Sequence, residues 1–367
     1  MSQPLEQTLE RFTGRSTAQG SSLRQRFAVL PSRQEPRCLV PLGDTGAALA
    51  GFRAYRPFEL RDRVVKGLLS QIVRTGWNGW AIESLYIGEP LGLKALVTNV
   101  TGERNPVFAI HLSTPNKYRK LTIQVMRPGG RPVGYVKVAL SQPAVTRIRH
   151  EAAVLTDLAA LRPHVPRVLY AGEWQDSYLL FVSALEGRPG PARLSEMHVE
   201  FLEKLAAIGR ATKPGRTLVN EIAARWEEVA WRCDWRWQRI GQAALVEARR
   251  ELEGVTVPCA LAHGDFCPWN TRVHQGQLGV FDWENCTEQA PLGWDTFHFS
   301  VEAAGARKKS WRAQFDLAGG GARGLFLLYL IDSLSKLLEE QSESPAAMEC
   351  RREMLVNELS IREERLA

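Results

Sequence analysis

The strongest constraint on the fold is the order in which strand-like and helix-like patterns follow one another along the chain. Between residues 107 and 184, short runs rich in β-branched and apolar residues surround one segment whose apolar residues recur every three or four positions. Beyond residue 189 the pattern is mainly helical, interrupted by a strand-and-turn segment over residues 259–283. A sheet with one embedded helix, followed by a helical region, predicts an α+β fold with a small β-rich part and a larger helical part.

The boundaries of these elements follow from turn residues and periodicity. An Arg-Pro-Gly-Gly-Arg-Pro segment between two apolar runs predicts a hairpin. The first thirty-odd residues are polar and are expected to form a loosely ordered arm. The basic amphipathic helix at 60–73 is expected to pack on the protein rather than on a membrane. We predict strands at 37–43, 107–113, 120–126, 133–139, 167–170 and 177–184, and helices at 60–73, 145–161, 196–211, 219–240, 242–252 and 323–338.

Composition narrows the class of protein. The chain has 367 residues with 44% hydrophobic content, which fits two lobes plus an extension. No apolar run approaches the length of a membrane span, and charged residues near the N-terminus argue against an export signal. The six cysteines contain no Cys-x-x-Cys pair, so neither a disulfide framework nor a zinc site is indicated. We therefore expect a cytoplasmic globular protein.

The charge balance favours anionic small-molecule partners. The formal net charge is +7, and a basic surface attracts nucleotides and phosphates. Runs of like charge are short, and no basic stretch is interleaved with aromatic residues, so a nucleic-acid partner is not expected. Nothing in the sequence indicates an obligate protein partner.

One segment, LAHGDFCPWNTRVHQGQLGVFDWENC, carries the residues best suited to chemistry. Asp265 and Asn270 lie five residues apart in a loop that begins with His-Gly, and Asp282 follows twelve residues later, after two short strands. Because a hairpin returns the chain on itself, Asp282 is expected beside Asn270. Two carboxylates and an amide oxygen form a set of ligands that suits Mg²⁺, with substrate phosphates completing the coordination.

This segment resembles the catalytic loop of the aminoglycoside phosphotransferase and choline kinase family, in which the His-Arg-Asp loop of protein kinases has become His-Gly-Asp. FDWE is similar to the family's Asp-Phe-Gly segment, VGYVKV to its third strand, and LLFVSALEGRP to its hinge. The resemblance implies a protein-kinase-like two-lobe fold. Residues 106–187 would form the N-lobe and 188–367 the C-lobe with the catalytic loop, while 1–105 form an N-terminal extension of unknown role.

The resemblance also implies an ATP- and Mg²⁺-dependent transfer of the γ-phosphate to a hydroxyl of a small molecule. Asp265 would accept or orient the proton of that hydroxyl, and Asn270 and Asp282 would hold Mg²⁺. Lys137 would contact the α and β phosphates of ATP and be held by an ion pair with Glu151, fourteen residues further on.

Further positions have supporting roles in this interpretation. The adenine would bind the hinge backbone near Ser183 and Leu185. His263 and Asp295 are expected to brace the catalytic loop, and Glu284 to reach the metal through water.

The turn expected to cover the phosphates departs from the kinase pattern. It spans residues 113–118 and contains no glycine, so Ser113, Thr114 and Asn116 would offer hydroxyl or amide donors and Lys117 a charge. This keeps an alternative open, namely a catalytically weak or inactive nucleotide-binding or scaffold protein. A protein kinase is a third interpretation, but the chain lacks an Ala-Pro-Glu segment and the usual activation loop.

The sequence constrains the identity of the phosphate acceptor least. A sugar, an amino alcohol or an antibiotic is expected, in that order, and the positive net charge argues against a polycationic aminoglycoside. Four tryptophans in the predicted helical segment could hold a quaternary ammonium by cation–π attraction, although the four-residue spacing of Trp231 and Trp235 favours core packing. The four residues are Trp226, Trp231, Trp235 and Trp237.

Overall fold

The computed structural model describes residues 25–32, 34, 36–55, 60–75, 83–88, 92–113, 116–307, 321–340 and 345–360. The chain divides into two compact units. The first comprises the described residues up to 162 together with 166–184, and the second comprises 163–165 together with those from 185 onward. Among the described residues, every helix is too short or too polar to cross a membrane.

The first unit is built on one antiparallel sheet, whose described strands run in the order β3-β1-β2-β4-β5-β6-β8-β7. These strands are β1 (Gln25–Pro31), β2 (Pro36–Pro41), β3 (Ser84–Ile87), β4 (Val107–Leu112), β5 (Lys120–Met126), β6 (Pro132–Ala139), β7 (Val168–Trp174) and β8 (Ser177–Ser183). Its helices are α1 (Thr45–Ala54), α2 (Leu60–Arg74), α3 (Leu93–Thr101) and α4 (Gln142–Asp157), with a short 3₁₀ turn at Leu158–Leu161. The predicted strands from 107 to 184 and the embedded helix are confirmed.

Alternation of side chains across the pleat explains why the sheet has two buried faces. Ile110, Ile123 and Val136 lie in one apolar cluster, to which residues of the chain's first hundred also contribute. A second cluster forms between β1, β2 and the helices α1 and α2, and includes Phe52 and Val73. Helix α2 therefore packs on the protein, as expected.

The prediction of a loosely ordered arm is wrong for residues 25–31, which form β1. This strand pairs with both β2 and β3. Strand β2 in turn pairs with β4 through Cys38 opposite His111 and Leu39 opposite Ile110. Composition alone missed β1, whose first partner β2 follows it directly but whose second partner β3 lies far away in the sequence. The rest of the predicted arm, residues 1–24, lies outside the described residues.

The second unit is mainly helical and contains two small antiparallel sheets, β10-β11-β14 and β13-β12-β9. Its strands are β9 (Arg188–Pro189), β10 (Ala211–Pro214), β11 (Thr256–Ala262), β12 (Thr271–His274), β13 (Gln277–Val280) and β14 (Thr287–Pro291). Its helices are α5 (Glu196–Ala206), α6 (Gly215–Ala230), α7 (Trp235–Glu251), α8 (Trp294–Arg307), α9 (Ala322–Glu339) and α10 (Pro345–Leu359). Helix α9 is buried along most of its length and packs against α6, α7 and α10.

Two helix predictions in this unit need correction. The helix predicted at 196–211 ends at Ala206, and residues 211–214 form β10 instead. The helix predicted at 219–240 is two helices, because Asp234 accepts hydrogen bonds from the N–H groups of Arg236 and Trp237 and so starts α7. Helices α8 and α10 were not predicted.

The tryptophans divide between core and surface. Trp226 and Trp237 are buried in the apolar core, whereas Trp231 and Trp235 are 71% and 49% exposed. The prediction that Trp231 and Trp235 form a core stripe is therefore wrong. The helix break separates them, since Trp231 follows the end of α6 and Trp235 is the first residue of α7.

Asp44 links the chain's first hundred residues to the β5–β6 hairpin. Its Oδ1 caps α1 by accepting from the Ala47 N–H at 2.8 Å, and its Oδ2 accepts from the Gly129 N–H at 2.8 Å. These bonds hold the pKa of the Asp44 carboxyl below its ordinary value. The same region packs closely, because a Cβ on Gly46 would lie 2.3 Å from the Gly129 carbonyl oxygen.

We expect Asp44→Ala to lower the free energy of unfolding by about 1–2 kcal/mol, since it removes a helix cap and an acceptor for the turn. Asp44→Asn keeps the capping oxygen but places an amide near the Gly129 N–H, so its loss should be smaller. Urea unfolding of the three proteins measures this order. Equal stability of the alanine variant and the wild type would contradict the proposed link.

Candidate active site

The loop after β11 is fixed by a buried carboxylate. Asp295, in the first turn of α8, accepts the backbone N–H of His263 at 2.7 Å and that of Gly264 at 2.9 Å. Gly264 has φ +78°, and a Cβ there would lie 2.0 Å from the Asn285 carbonyl oxygen, so only glycine fits. Burial raises the pKa of Asp295, while the two N–H donors lower it. Asp295 thus braces the loop, as the resemblance implied.

His263 is an internal support of the loop rather than a group that reaches solvent. It is fully buried, its Nδ1 accepts the Asp265 N–H at 3.2 Å, and its Nε2 donates to the Phe281 carbonyl at 3.1 Å. Burial lowers its pKa to about 4, so the imidazole is neutral at pH 7. The ring also packs edge-on against Trp283 with centroids 4.5 Å apart.

The carboxylate of Asp265 is held from both sides. Its Oδ2 accepts from Asn270 Nδ2 at 2.8 Å, and the same nitrogen donates to the Asp265 carbonyl oxygen at 3.0 Å. Its Oδ1 lies 3.0 Å from Nε2 of His298 in α8. The Asp265 side chain is 31% exposed, so the carboxylate is oriented and still open to solvent. Of the predicted residues, the structure brings Asp265 and Asn270 into direct contact.

The predicted hairpin is confirmed and returns the chain to Asn270. Strands β12 and β13 pair with Thr271 opposite Val280, through a two-residue turn at Gln275–Gly276 in which both φ angles are positive. Immediately beyond the pair, the Phe281 N–H donates to the Asn270 carbonyl at 3.1 Å. Asp282 therefore directly follows Phe281, whose backbone N–H is hydrogen-bonded to the Asn270 carbonyl.

Asp282 has φ +72°, a left-handed backbone conformation that residues other than glycine adopt infrequently. Such conformations persist where the surrounding structure fixes them, and they concentrate at functional sites. Next to it, Trp283 is fully buried and donates from Nε1 to the Val280 carbonyl at 3.0 Å. The buried indole anchors the backbone that carries Asp282.

The lysine and glutamate predicted to pair lie together in the first unit. Lys137 on β6 places its Nζ 2.7 Å and 2.5 Å from the two carboxylate oxygens of Glu151 on α4. Both side chains are buried, at 6% and 1% exposure. Charges out of water at this separation attract strongly, which offsets part of the cost of burying them.

The predicted nucleotide-binding residues outside this pair have structural partners of their own. Ser113 Oγ accepts the Lys120 N–H at 2.9 Å, and Asn116 Oδ1 accepts the Tyr118 N–H at 2.9 Å, so both side chains help to close the β4–β5 turn. Thr114 and Pro115 lie outside the described residues.

The hinge residues lie where the chain passes from one unit to the other. Ser183, the last residue of β8, accepts the Arg167 N–H on its Oγ at 2.9 Å. The first unit ends at Ala184 and the second resumes at Leu185, whose side chain lies over the backbone of Gly279.

The donor chemistry of the second unit fits a hard divalent cation. Carboxylate and amide oxygens are the ligands Mg²⁺ prefers, and the amide nitrogen of Asn270 is used inside the loop, which leaves its Oδ1 as the atom for a cation to contact. The sequence interpretation missed His298. It lies three residues after Asp295, on the helix face that meets the loop, and that spacing is the signal that could have pointed to it.

Comparison with known proteins gives a family match for part of the chain. Residues 122–297 match the model of the phosphotransferase enzyme family, APH. This range contains the strand with Lys137, the loop with Asp265 and Asn270, and Asp282. No curated protein matches the chain.

Several solved structures share the fold. The apo form of a thermostable mutant of aminoglycoside phosphotransferase APH(4)-Ia has 18% identity and a TM-score of 0.51, covering 72% of this chain and 99% of that one. A second structure of APH(4)-Ia has 18% identity and a TM-score of 0.50, covering 72% and 97%. A thermostable mutant in a ternary complex with AMP-PNP and hygromycin B has 17% identity and a TM-score of 0.50, covering 73% and 98%. At these identities the likeness concerns the fold, and it confirms the predicted α+β kinase-like class.

We expect Lys137→Met to destabilise the protein by about 3–5 kcal/mol, because it leaves a buried carboxylate without its lysine. The double variant Lys137→Met/Glu151→Leu should recover most of that loss, since no buried charge of the pair remains. Urea unfolding at pH 7 measures both.

Arg149→Met is the matched control. It breaks an ion pair with Glu173 in which both side chains are more than half exposed, and should cost under about 1 kcal/mol. A double variant as unstable as Lys137→Met would contradict the pairing argument.

Proposed function

Taking residues 122–297 as a domain of the phosphotransferase enzyme family, we propose that the protein is an ATP- and Mg²⁺-dependent kinase of a small hydroxylated molecule. The observation that carries the proposal is the two-sided hold on Asp265, by Asn270 at 2.8 Å and His298 at 3.0 Å. An oriented, partly exposed carboxylate in a braced loop is what a residue that receives a hydroxyl proton requires.

The proposed reaction needs positioning and charge neutralisation more than covalent help from the protein. The acceptor hydroxyl oxygen forms a bond to the γ-phosphorus of ATP, while the bond from that phosphorus to the bridging oxygen breaks and ADP leaves. The hydroxyl proton passes to a carboxylate oxygen of Asp265. Asn270 and Asp282 would hold Mg²⁺, which when bound neutralises charge on the nucleotide phosphates.

The first unit would contribute to binding of the nucleotide. Lys137 is a fixed positive charge in the proposed contact with the α and β phosphates, and Glu151 holds its ammonium group in place. The backbone near Ser183 and Leu185 is proposed to bind adenine, and Ser113 to lie in the turn near the phosphates. The solved APH(4)-Ia complex with AMP-PNP supports a nucleotide for this fold.

For the acceptor we propose a neutral or weakly charged hydroxylated molecule, a sugar before an amino alcohol or an antibiotic. The neighbour APH(4)-Ia, an aminoglycoside phosphotransferase, binds hygromycin B, which keeps an antibiotic among the candidates. The net charge of +7 disfavours a strongly cationic one. Trp226 and Trp237 pack in the core and are therefore not available to a quaternary ammonium.

The alternative is a nucleotide-binding protein with weak or no phosphotransfer. The observation that favours it is the glycine-free turn at 113–118, where Ser113 and Asn116 already accept backbone N–H groups. Bare backbone N–H groups approach phosphates more closely than side chains can, so this turn would grip the nucleotide less tightly.

We expect ATP with Mg²⁺ to raise the melting temperature of the wild-type protein, because a ligand that binds the folded state stabilises it. The rise should shrink strongly in Asp282→Ala and on removal of Mg²⁺ with EDTA. Differential scanning fluorimetry measures the shift. No stabilisation of the wild type by millimolar ATP and Mg²⁺ would end the kinase proposal.

In an ATP-consumption screen across sugars, amino alcohols and aminoglycosides, we expect turnover with at least one class. Asp265→Asn should lower kcat by about 10²–10⁴-fold while nucleotide binding is retained, because the proton acceptor is lost. Asp176→Asn, the same change at an exposed turn, is the control and should leave kcat unaltered. Normal nucleotide binding without turnover of any acceptor would favour the weak-binder alternative.

A further inference from the structure

A line of polar side chains runs from the interior of the second unit to Asp265, and it reaches Asp265 through His298. The residues along it are Arg351, Ser333, Tyr329 and His298, from helices α10, α9 and α8. Asp295 holds the backbone at the start of the loop, and Asn270 holds one carboxylate oxygen of Asp265. The contact of His298 with the other carboxylate oxygen has no role yet.

The line begins at a buried cation. Arg351 is 3% exposed and lies 2.5 Å from Glu302, while its Nε donates to Ser333 Oγ at 2.6 Å. An arginine side chain carries donors and no acceptor, so this end of the line has a fixed direction. Burial is the largest single effect and raises the pKa of Glu302, but the charge and hydrogen bond of Arg351 together with His298 outweigh it and lower the pKa below its ordinary value.

The direction passes from Ser333 to Tyr329. Ser333 lies four residues after Tyr329 on α9, and since its Oγ accepts from Arg351, its own hydrogen remains available to the Tyr329 oxygen. Tyr329 is 2% exposed, and burial raises the pKa of its hydroxyl, so the hydroxyl keeps its proton at neutral pH. Its oxygen lies 3.0 Å from Nδ1 of His298, within reach for the O–H to donate to that nitrogen.

A histidine whose Nδ1 accepts must carry its hydrogen on Nε2 when neutral. Nε2 of His298 lies 3.0 Å from Asp265 Oδ1, the separation of a hydrogen bond. Because a carboxylate oxygen only accepts, Nε2 is the donor in this hydrogen bond, and the bond holds Oδ1 of Asp265 in place.

We propose that His298 is a positioning residue for Asp265: with its hydrogen on Nε2 and with Nδ1 accepting from the Tyr329 hydroxyl, it sets the plane of the Asp265 carboxylate. This rests on the proposed function. Asn270 fixes one oxygen of the carboxylate, His298 fixes the other, and the remaining lone pairs face the acceptor hydroxyl.

The kinetic test compares two substitutions of similar size. His298→Phe removes the N–H donor and keeps a flat ring, and should lower kcat by about 10–100-fold with the KM for ATP within about twofold of wild type. His298→Gln places an amide N–H close to the former Nε2 and should recover most of the loss. Tyr329→Phe, which removes the hydroxyl that fixes the tautomer, should have an intermediate kcat.

His274→Phe, the same change at a half-exposed histidine of the β12–β13 hairpin, is the control. Melting temperatures of all variants separate a loss of positioning from a loss of folding. The proposal is overturned if His298→Phe keeps the wild-type kcat, or if His298→Gln is as impaired as His298→Phe, since the ring would then matter only for packing.

A measurement that needs no turnover reads the tautomer directly. In ¹⁵N-histidine-labelled protein, the His298 signals are those that His298→Gln removes, and we expect a protonated Nε2 and an unprotonated Nδ1 at pH 7. Tyr329→Phe should mix the two tautomers. A predominant Nδ1–H form, or a ring that averages both forms in the wild type, would overturn the proposal.

The two proposals fail in different ways. A wild-type protein that turns over no acceptor but shows the Nε2–H form counts against phosphotransfer and supports the fixed Asp265–His298 contact. A wild-type protein that turns over an acceptor with a tautomerically mixed His298 counts against the positioning role and leaves the proposed function in place.

Discussion

The acceptance of two consecutive backbone N–H groups by the Asp295 carboxylate is the interaction on which the candidate site depends. It ties His263 and Gly264 to the first turn of α8, and it does so inside the protein, where an unsatisfied N–H is costly. With this end of the loop fixed, Asp265 follows at a set position, and the same helix that bears Asp295 presents His298 to it. One helix thus anchors the loop and orients its central carboxylate.

In the second unit, buried polar and charged side chains are hydrogen-bonded to one another rather than placed singly in the apolar core. Arg351 is hydrogen-bonded to Glu302 and Ser333, and Tyr329 to His298, among helices that are otherwise packed with apolar side chains. In such surroundings a satisfied network rigidifies the structure, whereas a partial one is expensive. The first unit follows the same rule with a single pair, since Lys137 and Glu151 are buried together across a strand and a helix.

Local sequence patterns were sufficient where structure is local. The β5–β6 and β12–β13 hairpins follow from their turn residues, and the embedded helix follows from its apolar spacing. The close contact of Asp265 with Asn270 follows from a five-residue spacing in one loop. The resemblance to a phosphotransferase family added the pairing of Lys137 with Glu151, which no spacing alone would have indicated. Sequence patterns failed where distant segments decide: β1 lies between β2 and the distant β3, and His298 meets Asp265 only because of how α8 packs. The break before α7 is a local feature, the Asp234 cap, which the apolar spacing did not reveal.

The strands that precede residue 105 are part of the first unit's sheet, so removing them would affect the folding of that unit. Phe27, Val29 and Leu39 share one apolar cluster with Phe108 and Ile110, and β2 supplies the neighbour of β4. A shortened protein beginning at β4 would bare a long apolar edge with open backbone donors and acceptors, the kind of surface on which strands of separate molecules join. We therefore expect a chain shortened in this way to self-associate rather than to remain a smaller, folded monomer.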